Sequence, residues 1–284
     1  PGTAQISAKG NLLISAGTFS GVSEESVPGQ RNPGTLSADC HTGSVWNLCG
    51  ADAQMQTGEG VSLTGGATEK RGEKMRISVA LATYNGARFI TEQLDSIRQQ
   101  SLPVDQVILR DDGSVDQTVE IVRAYLDTYG LTPAWHITQN EKRLGYAENF
   151  KAAVEETDGD YVFFCDQDDV WEPDRVEHMV NQMEAHREIQ VLGSEFIPFT
   201  VDADAPSVSR RVLKSFRGDG SLEHVTWSPA HIFIGSEGCT MCLRRIFLEQ
   251  TGEYWYPGWA HDEYAWKLSL CMDGCYIVHS VTLR

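Results

Sequence analysis

Short apolar runs alternate with helix-like stretches throughout the chain after Met75, and this alternation restricts the choice of fold more than any other feature. Apolar residues recur every three or four positions between the runs, as at Ile90, Leu94 and Ile97. Strands that alternate with helices form mostly parallel sheets covered by helices on both faces. The sequence therefore predicts an α/β fold. The predicted strands are 77–83, 106–110, 135–138 and 161–165, and the predicted helical stretches are 87–100, 119–129, 150–154, 176–183, 244–250 and one that opens near 259–264.

The first 74 residues differ from the rest. They hold 13 of the 26 glycines and two aromatic residues, Phe19 and Trp46, without a sustained period of 2 or 3.6 residues. This composition predicts a low-complexity segment, disordered or non-native, ahead of a folded domain at 75–284. Because Met75 directly precedes the first predicted strand, our hypothesis is that it is the natural start, with a real flexible tail as the alternative.

The charge balance excludes one class of partner. The chain has 40 Asp and Glu against 23 Lys and Arg, a formal charge of −17, so we expect no nucleic-acid ligand. No apolar stretch reaches the roughly 20 residues of a membrane helix, and no signal peptide is recognisable at the start. We expect a cytoplasmic protein whose seven cysteines are mostly reduced.

Polar residues follow three of the predicted strands, where ligands bind in parallel sheets. Asp166, Asp168 and Asp169 place three carboxylates in four residues directly after an apolar strand. Their repulsion is relieved by a divalent cation, and oxygen ligands favour Mg²⁺ or Mn²⁺. The alternative is an acidic loop that caps the next helix.

The other two strand ends carry groups suited to a nucleotide. Asp111 or Asp112 can accept from the imide N–H of a pyrimidine, and the Tyr84 ring can stack on the base. Arg143 can place a cation near a diphosphate. The alternatives are an Asp-Gly turn and a solvated surface arginine.

Four motifs in order carry a family resemblance. They are Ala82-Thr83-Tyr84-Asn85-Gly86, Asp111-Asp112-Gly113-Ser114, Leu144-Gly145-Tyr146-Ala147-Glu148-Asn149-Phe150 and Asp166-Gln167-Asp168-Asp169-Val170-Trp171. Residues 75–284 resemble a family 2 glycosyltransferase with the Rossmann-like GT-A fold, and more narrowly the rhamnosyltransferase-like branch that builds bacterial O-antigen and capsular polysaccharides.

The resemblance implies a nucleotide-sugar donor and a saccharide or lipid-linked saccharide acceptor, with dTDP-L-rhamnose as the first donor and UDP- or GDP-sugars as alternatives. It implies that the metal bridging the diphosphate is held by Asp166 and Asp168, with Asp169 in support. An acceptor of this kind implies peripheral association with the cytoplasmic membrane face. The family pattern also implies a longer C-terminus, so we expect a truncated one here. The residues that the resemblance assigns to the donor are Thr83, Tyr84, Asn85, Asp111, Asp112 and Asp166.

The catalytic base is expected in the second half of the domain. Asp262 lies in the first turn of a predicted helix, where the helix dipole favours a carboxylate, and the family places its base there. An N-cap is the alternative. These residues together imply an inverting transferase. The competing classes are a non-catalytic nucleotide-binding relative and a nucleotidyltransferase, although the Gly-rich basic loop of the latter is missing after the first strand.

Three further groups leave alternatives open. A zinc site is conceivable from four cysteines, although Cys271 suits a buried helical face shared with Leu268 and Met272. His261 can contact the acceptor or orient the base. A sugar-stacking wall and an aromatic core are equally compatible with three tryptophans. The four cysteines are Cys239, Cys242, Cys271 and Cys275, and the tryptophans are Trp255, Trp259 and Trp266.

Overall fold

The computed structural model describes residues 75–199, 216–232 and 235–284, so the prediction made for residues 1–74 lies outside the described residues. Strands and helices alternate from the first strand onward. In chain order they are β1 (Ile77–Thr83), α1 (Ile90–Arg98), β2 (Gln106–Asp111), α2 (Thr118–Tyr129), β3 (Trp135–Gln139), α3 (Tyr146–Glu155), β4 (Tyr161–Asp166), α4 (Arg175–Ala185), β5 (Val191–Phe196), β6 (Leu222–His224), β7 (Cys242–Arg244), α5 (Arg245–Thr251), α6 (His261–Cys271) and β8 (Cys275–Leu283).

Local sequence explains where the first elements begin and end. β1 covers the predicted residues, and its apolar side chains are buried. α1 begins three residues later than predicted, because residues 87–89 form a turn in which the Gly86 carbonyl accepts from the N–H groups of Phe89 and Ile90 at 2.9 and 3.0 Å. α2 ends where Gly130 takes a left-handed conformation with φ of 62°, which glycine adopts at little cost.

The eight described strands form one sheet in the order β3-β2-β1-β4-β7-β5-β8-β6. The first four are parallel, and their register is informative: Thr83 pairs with Asp111, and Ala82 pairs with Asp166. The carboxyl ends of β1, β2 and β4 therefore lie side by side at one edge. This placement brings the three predicted polar strand ends together.

The other half of the sheet is mixed. β7 runs antiparallel to both β4 and β5, β8 is parallel to β5, and β6 is antiparallel to β8. One apolar core lies between the sheet and α1, α2 and α4, and a second lies between the sheet and α3, α5 and α6. The predicted α/β architecture with helices on both faces is confirmed, with a mostly parallel first half.

The predicted apolar face of the last helix is only partly correct. Ala265 and Leu268 are buried, but Met272 is 38% exposed because α6 ends at Cys271 and the chain turns away there. Cys271 is half-buried rather than enclosed. Among the described helices, none is long and apolar enough to cross a membrane.

Candidate active site

Asp111 holds the turn at the end of β2. Its carboxylate accepts from the Thr83 hydroxyl at 2.9 Å, and from the backbone N–H groups of Gly113 and Ser114 at 3.2 and 2.8 Å. The side chain has no exposed surface. Thr83 and Asp111 are thus brought together as predicted from their strand ends, and in this structure both serve to join β1 to β2. Their direct contact with a base stays a prediction.

Asp112 fixes the loop that carries Arg143. Its oxygens accept from the backbone N–H groups of Leu144 and Gly145 at 2.6 and 2.9 Å, and from the Asn140 amide at 3.2 Å. The nearer oxygen lies 3.6 Å from the Arg143 Nε atom. Asp112 therefore connects the end of β2 to the start of α3. This connection places the Arg143 side chain, the predicted neighbour of the diphosphate, beside the strand ends.

Tyr84 and Arg143 form a stacked pair. The guanidinium carbon lies 4.0 Å from the centre of the Tyr84 ring, a cation–π contact, while the Arg143 side chain is 47% exposed. An arginine that is this exposed can exchange its contact with the Tyr84 ring for a contact with a ligand at modest cost. The Tyr84 ring, which was predicted to stack on a base, therefore lies beside Arg143, which was predicted to lie near the diphosphate.

Asn85 links the first two strand ends through its backbone and side chain. Its φ of 52° is left-handed, a conformation that asparagine tolerates better than most residues. Its N–H donates to the Ser114 hydroxyl at 2.8 Å, and its side-chain oxygen accepts from the Val115 N–H at 2.9 Å. Asn85 thereby shapes the loop, and its predicted contact with the donor stays a prediction.

Gln167 is a site residue that the sequence prediction missed. Its side-chain amide pairs with the backbone of Tyr84, accepting from the N–H at 2.8 Å and donating to the carbonyl at 3.2 Å. A Cβ atom on Gly86 would lie 2.3 Å from the Gln167 Oε1 atom, so the glycine makes room for this amide. The signal available in the sequence was an amide side chain between Asp166 and Asp168. An amide can both accept from a backbone N–H and donate to a backbone carbonyl, whereas a carboxylate can only accept.

The end of β4 brings oxygen and sulfur atoms of Asp166, Asp169 and Cys239 close together. The carboxylates of Asp166, Asp168 and Asp169 are called the acidic cluster below, and residues 166–171 the acidic loop. Their potential ligand atoms lie within 4.8 Å of one another, and the Cys239 thiol donates a hydrogen bond to Asp169. The prediction paired Asp166 with Asp168, whereas this group contains Asp169 in place of Asp168. The roles of Asp166 and Asp168 as ligands stay predictions, and Asp169, expected only in support, also brings an oxygen close to Asp166.

Several carboxylates share the electrostatic environment of Asp166. Burial first, and then the charges of Asp169, Asp168, Asp262 and Glu237, hold the pKa of Asp166 well above its usual range. Burial and the Asp168 charge also raise the pKa of Asp169 to about 7. Without a bound cation, protonation of Asp166 and Asp169 therefore relieves the repulsion between these carboxylates.

The donor set fits a divalent cation. The Asp169 Oδ2 atom is buried and has no hydrogen-bond partner among the residues that the structure describes. A buried carboxylate oxygen of this kind is costly unless a cation or proton accompanies it. Carboxylates select Mg²⁺ or Mn²⁺, while the adjoining thiol of Cys239 is a softer donor. The residues present therefore suit a divalent ion of the predicted kind.

Asp262 lies in the first turn of α6 and is only 2% exposed. Its Oδ1 atom accepts from the Glu263 N–H at 2.7 Å. Burial raises the pKa of Asp262, while hydrogen bonds from backbone N–H groups oppose this effect. The charge of Asp262 also acts on Asp166, and the role of Asp262 as the base stays a prediction.

His261 is enclosed beside this base. Its ring stacks on Phe150 at 3.7 Å between centres and meets the edge of Phe164 at 5.0 Å. The histidine is 1% exposed, neither ring nitrogen has a hydrogen-bond partner, and burial lowers its pKa to about 3. A Cβ atom on Gly238 would lie 2.0 Å from its Nε2 atom. His261 is therefore a neutral, enclosed residue at the start of α6, and its role at the acceptor or the base stays a prediction.

The three tryptophans do not form one wall. Trp255 is buried and stacks on Tyr264 at 4.1 Å, and the buried Trp266 donates to the His231 carbonyl at 2.7 Å. Trp259 is half-buried, with the Lys267 ammonium 4.6 Å from its ring. The sugar-stacking hypothesis is wrong for the first two, which belong to the core, and remains open for Trp259.

The alternative zinc site does not form in the described part of the chain. Cys239 groups with two carboxylates, while Cys242 lies in β7 and Cys275 in β8 as buried free thiols. Within residues 75–199, 216–232 and 235–284, no group of three or more potential metal ligands appears apart from Asp166, Asp169 and Cys239. Carboxylate chemistry therefore dominates this edge of the sheet.

Solved structures resemble the fold. TarS residues 1–349 from Staphylococcus aureus, solved with UDP-GlcNAc, match with a TM-score of 0.59 at 22% identity, covering 74% of this chain and 58% of that one. A mannosyltransferase from Pyrobaculum calidifontis, solved with GDP-Man and Mn²⁺, matches with a TM-score of 0.54 at 22% identity, covering 74% and 56%. At these identities the likeness establishes a shared GT-A fold.

Curated sequences add the family. The poly(ribitol-phosphate) beta-N-acetylglucosaminyltransferase TarS of S. aureus strain Mu50 is 35% identical over 97 residues, 34% of this chain and 16% of TarS. The cholesterol galactosyltransferase of Borreliella burgdorferi is 27% identical over 143 residues, 50% of this chain and 38% of that protein. The chain thus spans less than half the length of these relatives. The model of glycosyl transferase family 2 matches residues 78–250, and on this match the chain belongs to that family.

Proposed function

We propose that this protein is a metal-dependent, inverting glycosyltransferase that moves a sugar from a nucleotide-sugar to a saccharide or lipid-linked saccharide. The acidic group at the end of β4 carries the proposal, because the ligand atoms of Asp166 and Asp169 converge there and the charge of Asp262 acts on Asp166. Family membership supports the reaction class. The substrates of the whole protein are part of the proposal.

The donor is proposed to lie across the ends of β1, β2 and β4. The Tyr84 ring would stack on the base after the Arg143 guanidinium leaves it, and Arg143 would then pair with the diphosphate. Asp112 keeps the Arg143 loop within reach, since it binds the two backbone N–H groups that follow Arg143. In this exchange Arg143 gives up its cation–π contact with Tyr84 and gains an ion pair with the diphosphate.

Asp166 and Asp169, together with Asp168, would hold a Mg²⁺ or Mn²⁺ ion. When bound, such an ion stabilises the negative charge that develops on a departing nucleoside diphosphate. The chain's own contribution is to gather these carboxylates in a largely buried place, where their mutual repulsion favours the binding of a cation. The Mn²⁺ in the mannosyltransferase structure supports this part of the proposal.

Asp262 would accept the proton of the attacking acceptor hydroxyl. Its raised pKa makes it a stronger base than an exposed aspartate, and the Glu263 N–H fixes one oxygen so that the other can face the substrate. Attack from the side of Asp262, opposite the diphosphate, inverts the anomeric centre. His261 supports this geometry by packing, since it is neutral and enclosed.

For the donor we propose dTDP-L-rhamnose first, with UDP- and GDP-sugars as the other arms of the test. The UDP-GlcNAc in the TarS structure supports the UDP arm, and the GDP-Man in the mannosyltransferase structure supports the GDP arm. A lipid-linked acceptor would bring the protein to the cytoplasmic face of the membrane.

The test is donor binding and turnover by the full chain. Thermal unfolding is followed with each nucleotide-sugar in Mn²⁺ and in EDTA, and nucleoside diphosphate release is then measured with saccharide acceptors. We expect one donor to raise the unfolding temperature only with metal, and Asp262→Asn to keep this shift while release falls at least about 100-fold. Full activity in EDTA would refute the metal assignment. Metal-dependent binding without turnover in the wild type would indicate a non-catalytic nucleotide-binding relative.

A further inference from the structure

Arg175 is buried beneath the acidic cluster. It is the first residue of α4, and its relative exposed surface is 0%. Its guanidinium donates to the Cys239 carbonyl at 2.8 Å, to the Ser194 hydroxyl at 3.2 Å, and to the Thr282 hydroxyl. One side chain thus joins the segment that carries Cys239 to both β5 and β8.

Aromatic rings complete the enclosure. The Arg175 guanidinium carbon lies 4.8 Å from the centre of the Trp171 ring and 5.6 Å from that of Phe163. Phe163 lies in β4, which leads into the acidic cluster, and Trp171 follows the cluster directly. Both ends of the acidic loop therefore pack against the same guanidinium.

The positive charge of Arg175 has no carboxylate within ion-pair distance among residues 75–199, 216–232 and 235–284. Among the carboxylates, Asp169 is the one whose charge acts on Arg175, and the charge of Arg175 in turn favours the ionised form of Asp169. A buried charge is costly unless an opposite charge compensates it. When Asp169 is ionised, its charge compensates part of this cost without an ion pair.

The rest of the acidic loop is attached to β8. The Val170 N–H donates to the Arg284 carbonyl at 2.6 Å, the Arg284 N–H returns a bond to Val170 at 2.9 Å, and the Glu172 N–H donates to the Thr282 carbonyl at 2.9 Å. Arg175 binds the same Thr282 through its hydroxyl. Loop, strand and guanidinium therefore form one connected unit.

We propose that Arg175 is a positioning residue of the cation site: it holds Asp169 and the Cys239 segment so that their ligand atoms converge with Asp166. This inference rests on the proposed metal dependence. Its charge alone would act in the opposite direction, since a cation beside the site repels a metal ion. The sign of the effect therefore separates positioning from simple electrostatics.

The test compares three variants of the full chain by Mn²⁺ titration, with free Mn²⁺ measured by electron paramagnetic resonance. Arg175→Met removes the charge and the hydrogen bonds, and Arg175→Lys keeps the charge but cannot donate in a planar fork. Arg244→Met is the matched control, because Arg244 is also a buried arginine and donates to the Ile189 carbonyl at 2.6 Å and to the Tyr161 hydroxyl at 2.8 Å.

We expect both Arg175 variants to bind Mn²⁺ at least tenfold more weakly than the wild type, while Arg244→Met loses thermal stability but keeps its Mn²⁺ affinity. Thermal unfolding identifies a variant that does not fold, and if Arg175→Met fails, Arg175→Lys decides. Unchanged or tighter Mn²⁺ binding in the folded Arg175 variants would overturn the inference, as would an equal loss in Arg244→Met. A wild type that binds no Mn²⁺ would overturn this inference together with the metal part of the proposed function, and base and donor binding would still be testable.

Discussion

Replacing Asp169 by asparagine should stabilise the metal-free protein above neutral pH. In the folded chain, burial and the Asp168 charge raise the pKa of Asp169 from 3.8 to about 7. The folded protein then retains a proton that the unfolded chain has already released between these two values. Stability is therefore fully present below about pH 4 and is lost as the pH rises through about 7.

The pKa difference sets the size of the effect. A rise from 3.8 to about 7 corresponds to roughly 4 kcal/mol of unfolding free energy lost above neutral pH. Asparagine has no charge to bury and can still accept the hydrogen bond from Cys239. At roughly 2–4 °C per kcal/mol for a domain of this size, Asp169→Asn should melt about 10 °C above the wild type near pH 8 in EDTA. Near pH 4 the two should melt together.

The assay is thermal unfolding in EDTA across this pH range, repeated with Mn²⁺. The matched control is Asp174→Asn, an exposed aspartate immediately before α4, which should follow the wild type throughout. Mn²⁺ should restore the wild type near pH 8 but leave Asp169→Asn unaffected, since the variant lacks one ligand. Melting curves of wild type and Asp169→Asn that stay parallel from acid to neutral pH would refute the reasoning.

Three further substitutions test the packing around the site. Gly238→Ala should destabilise the fold by roughly 1–3 kcal/mol in chemical unfolding, since its Cβ atom would lie 2.0 Å from His261 Nε2, and an unchanged midpoint would contradict this tight packing. Tyr84→Leu should weaken donor binding about tenfold in calorimetry by removing the stacking surface that Arg143 covers, and unaltered affinity would place the base elsewhere. Gln167→Ala should cost roughly 1–2 kcal/mol of stability, because it leaves the backbone N–H of Tyr84 without its partner; equal denaturation midpoints would show that water replaces the amide.

The parallel half of the fold could be predicted because its signals are local. An apolar run between polar turns identifies β1 and β4, and Gly130 ends α2 through its own conformational freedom. The mixed half has weaker signals. β7 has three residues, Cys242–Arg244, and the last of them falls in the helix predicted over 244–250. The pairing of β7 with β4 and β5 is set by contacts distant in sequence.

The candidate site shows the same division. The residue types at the strand ends predicted that carboxylates would gather there, and Asp166 and Asp169 do. Their proximity to Cys239 depends on the loop conformation, which composition does not encode. Cys239 was interpreted as half of a Cys-x-x-Cys pair, yet its thiol donates to Asp169. His261 could not be assigned from sequence, since only the surrounding rings of Phe150 and Phe164 show that it is enclosed.

The parallel half of the sheet is one uninterrupted length of chain, from Ile77 through the acidic loop to Trp171, whereas Asp262 and Cys239 come from the later, mixed half. β7 pairs with β4 across this division, and the end of the acidic loop also pairs with the end of β8 through Trp171 and Leu283. A chimera joined within residues 172–190 would keep the first half as one block, but its later half would also have to supply the partners of the acidic loop in β8. For an exchange of the later half between relatives, the end of β8 is thus the part that has to match.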